Sequence, residues 1–245
     1  MQQIFVNDEP IEGRFTVAGD DAHHLVHVVR LKSGERLRVS TPTGSYLCQV
    51  DQVDRDSLIC RVLEPLPSTE LSNSIYLFQA LPKGDRMETI IEKTVELGVH
   101  EIIPVEMKNC IVKLDDKKKD SKLKRYQAIA LSAAQQSKRS SVPVISSVMS
   151  FAQALEKAQE CDTIVVPYES KNGMQDTYDF LNTLTAGQSV AVFIGPEGGF
   201  DDSEIDRLVS AGAAIISLGR RILRTDTAAI SALTMLMLKS EEFEQ

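Results

Sequence analysis

Short runs in which apolar and polar residues alternate dominate the first 70 positions. Residues 15–17, 36–40, 46–53 and 58–63 read as strands, punctuated by Gly13, Gly34 and the Thr43-Gly44 pair. That rhythm predicts a small β barrel or sandwich. One helix interrupts it over residues 20–30, with Asp20 or Asp21 as N-cap and Leu25, Val28 and Val29 as its apolar stripe. Residues 64–74 hold two prolines, several hydroxyl side chains and little apolar content, the composition of a linker.

From residue 75 the period changes. Apolar runs at 75–81, 101–106, 163–167, 190–194 and 213–218 read as buried strands, with a short extended segment at 142–148. Helical patterns lie between them. One spans 85–97 and is closed by Gly98; others span 121–137, 151–159 with Ser150 as cap, and 176–184. A further helix starts at Asp201 or Asp202 and ends at Gly212, and the last runs from Thr225 or Asp226 to about residue 243. This alternation predicts an α/β fold built on a mostly parallel sheet with helices on both faces. Ligands of such sheets sit beyond the C-terminal strand ends. The final helix carries Ile230, Leu233, Met235, Leu236, Met237 and Leu238 nearly all round, which predicts burial against both the core and a partner chain.

Composition narrows the class. No run approaches eighteen apolar residues, so no membrane span is expected, and the first residues lack the pattern of a signal peptide. Cys48, Cys60, Cys110 and Cys161 are scattered, which argues against a zinc site or disulfide framework and fits a reducing cytoplasm. The net charge is −8. It is unevenly spread: residues 108–139 hold ten Lys or Arg against three Asp, a basic belt on an acidic chain. Such a belt binds an anionic polymer locally. Lys117, Lys118, Lys119, Lys122, Lys124 and Arg125 are its candidates for phosphate contact, with Tyr126 able to stack on a base or to sit in the core. A solvated helix face is the plain alternative.

The chemistry-bearing stretch is 194–200, Ile-Gly-Pro-Glu-Gly-Gly-Phe, echoed at 218–227, Leu-Gly-Arg-Arg-Ile-Leu-Arg-Thr-Asp-Thr. Each follows a strand and leads into a helix, so one ligand cradled mostly by backbone is expected. Neither loop is a Walker loop or a dinucleotide fingerprint, and a tight structural turn remains the alternative for the first. In the second, Arg224 offers a fork of donors suited to a carbonyl or phosphate. Asp226 either accepts a proton, fixes that arginine, or serves as a helix cap. His23, His24 and His27 share a helix, but nothing completes a metal set, and no metal is expected.

Seven motifs occur in order: Lys83-Gly84-Asp85-Arg86-Met87, Glu96-Leu97-Gly98, Lys113-Leu114-Asp115-Asp116, Ala134-Gln135-Gln136-Ser137-x-Arg139, Val142-Pro143, Gly195-Pro196-Glu197-Gly198-Gly199, and Leu218-Gly219-x-x-Ile222-Leu223-Arg224-Thr225. Together with His23-His24 and Val29-Arg30-Leu31, the ordered set resembles the RsmE family across nearly the whole chain. These enzymes methylate N3 of one uridine in 16S ribosomal RNA of the small ribosomal subunit.

The resemblance implies a C-terminal trefoil-knotted SPOUT methyltransferase domain over residues 75–245 and an N-terminal PUA-like β-barrel over residues 1–70. It implies S-adenosylmethionine as cofactor, a homodimer, and action in the cytoplasm. The implied cofactor positions are Val166, Pro167 and Tyr168; Ile194, Gly195, Pro196, Glu197, Gly198 and Gly199; and Leu218, Gly219, Ile222 and Leu223. Arg224 and Asp226 are the implied catalytic pair. Arg30, Lys113, Lys117, Lys118, Lys119, Lys122, Arg125 and Arg139 are the implied RNA contacts. The chain departs from the family pattern at Asp226, where Glu is usual, and near Asn109 and Gln3, where Arg is usual. A non-catalytic RNA-binding protein that keeps the fold is the alternative from another class, and a nucleotide-dependent phosphoryl transferase is a third.

Overall fold

The structure, a computed structural model, describes residues 1–168 and 173–244. The chain divides into two compact units. The first comprises Met1–Glu70 and Ala134–Val142, the second Leu71–Ala133 and Pro143–Gln245.

The first unit is a five-stranded sheet built from β1 (Gln2–Phe5), β2 (Arg14–Ala18), β3 (Arg36–Ser40), β4 (Ser45–Val53) and β5 (Ser57–Leu66), in the order β1-β3-β4-β5-β2. β1 runs parallel to β3 and the other pairs are antiparallel. Alternate side chains, among them Ile4, Phe15, Val17, Leu37, Val39, Val50 and Leu58, form its core. Four of the five strands match the expected runs, and β1 is an addition.

The helix expected at 20–30 begins as α1 (Gly19–His23) and widens into a π-helix, His24–Val29, closed by Arg30 in the left-handed region at φ 61°. Its N-cap is Ala18. Asp20 and Asp21 lie in the first turn instead, where acidic side chains favour the positive helix end.

The segment expected to be a linker is held in place. β5 continues to Leu66, and Glu70 is sewn to residues 139–141. Its carboxylate accepts the Ser140 and Ser141 amides at 2.8 and 3.2 Å and pairs with the Arg139 guanidinium. Gln3 adds a bond of 2.6 Å to the Arg139 carbonyl, and Arg38 donates to Ser140 Oγ at 3.1 Å. Arg139 is only 4% exposed. It is therefore a structural cation of the first unit and not the RNA contact expected of it.

The second unit holds β6 (Ser74–Ala80), α2 (Arg86–Glu96), β7 (Glu101–Glu106), α3 (Asp116–Ser137), β8 (Val144–Ile145), β9 (Met149–Ser150), α4 (Phe151–Ala158), β10 (Thr163–Pro167), α5 (Gln175–Thr183), β11 (Ser189–Ile194), α6 (Asp202–Ser210), β12 (Ala214–Ile216) and α7 (Thr225–Glu241). The last turn of α3 belongs with the first unit. Every pairing in the sheet is parallel, in the order β12-β10-β11-β6-β7-β8, with β9 also beside β7. Its central strands are apolar on both faces, as parallel sheets require. Phe78 on β6 stacks on Phe193 of β11 with centroids 4.6 Å apart. α4 and α6 begin with reciprocal capping boxes, Ser150 with Gln153 and Asp201 with Glu204. α7 packs on α2, β6 and β11.

Burial alone would raise the Glu70 carboxyl, but the Arg139 guanidinium and the serine amides outweigh it and hold it below its ordinary value. A depressed carboxylate stabilises the fold above the unfolded pKa, and that contribution is lost as pH falls through the folded one. Glu70→Gln is expected to destabilise the protein by about 2–3 kcal/mol. This lies below the cost of breaking a fully buried pair because a quarter of the Glu70 side chain is exposed. Denaturant melts of the variant should also lose part of the wild-type decline in stability below about pH 4.5.

Candidate active site

β10 pairs with β12 on one side and β11 on the other, so the three strands end side by side, with Pro167 beside Ile216. The segments that leave these ends enclose a cavity of about 360 Å³, within the roughly 300–1,000 Å³ of small-molecule pockets. Of the expected positions, Pro167, Tyr168, Ile194, Gly195, Pro196, Glu197, Gly199, Leu218, Gly219, Ile222 and Leu223 line it, together with Arg224. Val166 and Gly198 do not. Val166 is fully buried within β10, and Gly198 faces Asn109, which a Cβ there would meet at 3.2 Å. Phe200, Ser217, Arg221, Thr225 and Ala228 also line the cavity. Most adjoin the motifs directly, so contiguity was the signal for them. Ala228 enters only through the first helical turn of α7.

The first glycine loop is held from several directions. A Cβ on Gly195 would come within 2.9 Å of the Phe200 ring, so only glycine lets that ring fold back beneath the loop. Phe200 is buried and meets Tyr168 edge-on at 6.2 Å. The Glu197 carboxylate accepts the amide of Lys83, between β6 and α2, at 3.0 Å and pairs with Arg86, the first residue of α2. Desolvation pushes that carboxyl up, but the Lys83 amide and the Arg86 guanidinium prevail and hold it below its usual value. Asn109 donates to the carbonyls of Gly198 and Gly199 at 3.4 and 3.2 Å. Its departure from the family pattern thus has a local use, as a clip on the loop. Gln3, the other neutral departure, points into the first unit and binds Ser40 and Arg139.

The second loop supplies the charge. Arg224 is the N-cap of α7, with extended backbone at φ −67° and ψ 155°, and is exposed. It has no ion-pair partner among the described residues, and the same holds for Arg220 and Arg221. Asp226 is in the first turn of α7 and does not cap the helix. Its Oδ1 is buried and has no hydrogen-bond partner among the described residues. It does not fix Arg224 in this structure. A buried carboxylate oxygen without a donor is costly, and Asp226, unlike Arg224, is not among the residues that line the cavity.

The basic belt is partly neutralised. Lys118 pairs with Asp115 at 3.1 Å, Lys119 with Glu106 at 3.3 Å and Arg125 with Glu88 at 2.7 Å. Lys122 lies 5.5 Å over the Tyr126 ring, and Tyr126 is 4% exposed, which makes it core and leaves no face for a base. Lys113, Lys117 and Lys124 are exposed without ion-pair partners among the described residues, and Arg30 is exposed in the first unit. The rings of His23 and His27 lie 4.7 Å apart, and His27 Nε2 is 2.9 Å from the Arg55 carbonyl. No three His, Cys, Asp or Glu side chains converge as metal ligands among the described residues.

Comparison with known proteins places this geometry. An RNA methyltransferase domain family matches residues 69–237, and an RNA methyltransferase PUA domain matches residues 17–63. The chain is 38% identical to ribosomal RNA small subunit methyltransferase E of Bacillus subtilis over 232 residues, 93% of this chain and 91% of that one. The protein of the same name from Mycobacterium bovis is 31% identical, over 94% of this chain and 88% of its own length. A crystal structure of the Neisseria gonorrhoeae enzyme of that name, bound to S-adenosylmethionine, superposes with a TM-score of 0.83 at 26% identity and 97% coverage of each chain.

Arg86→Ala should loosen the glycine loop without unfolding the sheet. The Arg86 and Glu197 side chains are 35% and 26% exposed, so the pair contributes roughly 0.5–1 kcal/mol. Hydrogen exchange at the amides of residues 197–199 is expected to quicken roughly two- to fivefold. In the wild type the same loosening should appear only as pH falls below about 4.5, because the carboxylate is the stabilised form.

Proposed function

Since the chain belongs to the RNA methyltransferase family that includes ribosomal RNA small subunit methyltransferase E, we propose that it transfers a methyl group from S-adenosylmethionine to N3 of one uridine in 16S ribosomal RNA. The observation that carries this reading is the cavity at three parallel strand ends, lined by both glycine loops, with Arg224 at its rim and without an ion-pair partner among the described residues. S-adenosylmethionine supplies an activated methyl on a sulfonium. The cavity fits such a group. It is large enough, both glycine loops line it, and its one lining carboxylate is already engaged by Lys83 and Arg86. The main chain of residues 194–199 and 217–223 would hold the adenosine and methionine parts.

Uracil N3 is a weak acid and becomes a nucleophile only as its proton leaves. Asp226 takes that proton, directly or through one water. Arg224 presents its donors to O2 or O4, where negative charge develops, and helps set N3 in line with the methyl group. Lys113, Lys117 and the other belt cations, with Arg30 of the PUA unit, hold the RNA backbone. The outward side of α7, where Leu238 is 59% exposed, is the proposed contact between two copies. The site of action is the cytoplasm, where the small subunit is assembled.

Arg224→Ala is expected to lower methylation at least about a hundredfold while leaving S-adenosylmethionine affinity within about threefold by calorimetry. Loss of both by the same factor would move Arg224 to the cofactor. Mass mapping of 16S RNA from cells lacking the protein, with and without its restoration, identifies the uridine; no change in N3-methyluridine would overturn the substrate assignment. A second expectation concerns charge. Neutralising Lys117, Lys118 and Lys119 together should weaken RNA binding and reduce its salt slope by one to about three. An unchanged slope would make them a solvated face.

A further inference from the structure

We infer that Gln79 and Thr225 are positioning residues, which set the start of α7 against the glycine loop by fixing the direction of one hydroxyl proton. The inference rests on the methyl-transfer reading for its consequence but not for its geometry. Gln79 is on β6 and fully buried. Its amide nitrogen donates to the Ala80 carbonyl at 2.9 Å and to Thr225 Oγ1 at 2.9 Å. Thr225 Oγ1 in turn donates to the Gly195 carbonyl at 2.8 Å.

The directions follow from elementary counting. A side-chain amide turned the other way would set its oxygen against the Ala80 carbonyl, two acceptors face to face, so the nitrogen must be where it is. Both of its protons are then committed. The Thr225 oxygen receives one of them and has a single proton of its own, which can go only to Gly195. Gln79 Oε1 is left buried without a partner. An apolar side chain would avoid that cost. A glutamine that retains it is explained by the donor it provides.

Two bonds therefore tie β6, the first residue of α7 and the loop after β11, and a third, within β6, orients the Gln79 amide. Arg224 immediately precedes Thr225, and its carbonyl receives the first helical bond of α7, from Ala228 at 2.8 Å. With Thr225 pinned, the Arg224 backbone is fixed relative to Gly195 and only its side-chain torsions remain. Arg224 and the methyl donor are thus held in one frame before substrate arrives. Glu197 and Asn109 grip the same loop elsewhere, so losing the Thr225 link disturbs the arginine more than the cofactor.

The test uses the full-length protein. Thr225→Val keeps the shape and removes the proton. It is expected to lower kcat at least tenfold while KM for S-adenosylmethionine stays within threefold. Thr225→Ser restores the hydroxyl and should bring kcat back to within threefold of wild type. Gln79→Met frees the hydroxyl to rotate and should give an intermediate kcat. Hydrogen exchange in residues 195–199 and 225–229, measured without cofactor, should rise in Thr225→Val and not in Thr225→Ser.

Serine as damaging as valine, full activity in valine, or KM rising as far as kcat falls would each overturn the inference. If the wild type binds no S-adenosylmethionine, the functional reading fails by itself. The exchange pattern then decides this inference, and unchanged exchange in Thr225→Val sinks it. Should Thr225→Val not fold, Gln79→Met and Thr225→Ser carry the same comparison.

Discussion

The site depends on crowding. β10 lies between β11 and β12, so three chain segments must leave the sheet through adjacent strand ends and turn within one small volume. At the tightest point even one added side-chain carbon would collide. Gly195 shows the limit, because an added methyl would stand 2.9 Å from the Phe200 ring. The cavity wall mixes glycine main chain at Gly195, Gly199 and Gly219 with the side chains of Tyr168, Phe200, Leu218 and Leu223. Loops of this kind are usually mobile. Here the first is clipped at Gly195, Glu197, Gly198 and Gly199 by residues from three other parts of the chain. The glycine-rich part of the wall is thus held in place by its neighbours.

Charge is managed by the same local logic. A net-acidic protein that must meet a polyanion needs its cations free where they act and neutralised where they do not. Arg125, Lys118 and Lys119 are engaged by carboxylates, and Arg139 is buried. The arginines of the second loop carry no such partner among the described residues. Positive charge left uncompensated is therefore found at the rim of the cavity and, in the belt, at Lys113, Lys117 and Lys124.

Much of this could be read from the residues alone, and the failures share a cause. The apolar runs of β6, β10 and β11 are unambiguous because a strand buried on both faces leaves nothing polar to confuse it. The caps at Ser150 and Asp201 are spelled out by Gln153 and Glu204 three residues on. Arg139 misled because a basic residue within a charged stretch looks exposed, and only its distant partner Glu70 decides otherwise; Tyr126, left open between base and core, is core. The same holds for the supposed linker, whose polarity disguised a buried ion pair. Gln79 gave no signal, since the partner that gives it a use, Thr225, lies 146 residues away. Patterns of local spacing reveal elements and strand-end motifs. They are blind to polar pairs closed by the fold.

The stitching of residues 134–142 into the first unit bears on how the protein comes into being. Glu70, Arg38 and Gln3 all find their partners between Arg139 and Ser141. A ribosome making this chain releases the five-stranded sheet long before it releases those partners. Until α3 has emerged, the nascent N-terminal region holds three polar side chains whose native bonds do not yet exist. The PUA unit is thus early in sequence but late to finish, and a fragment cut at residue 70 would be a different molecule from the unit seen here.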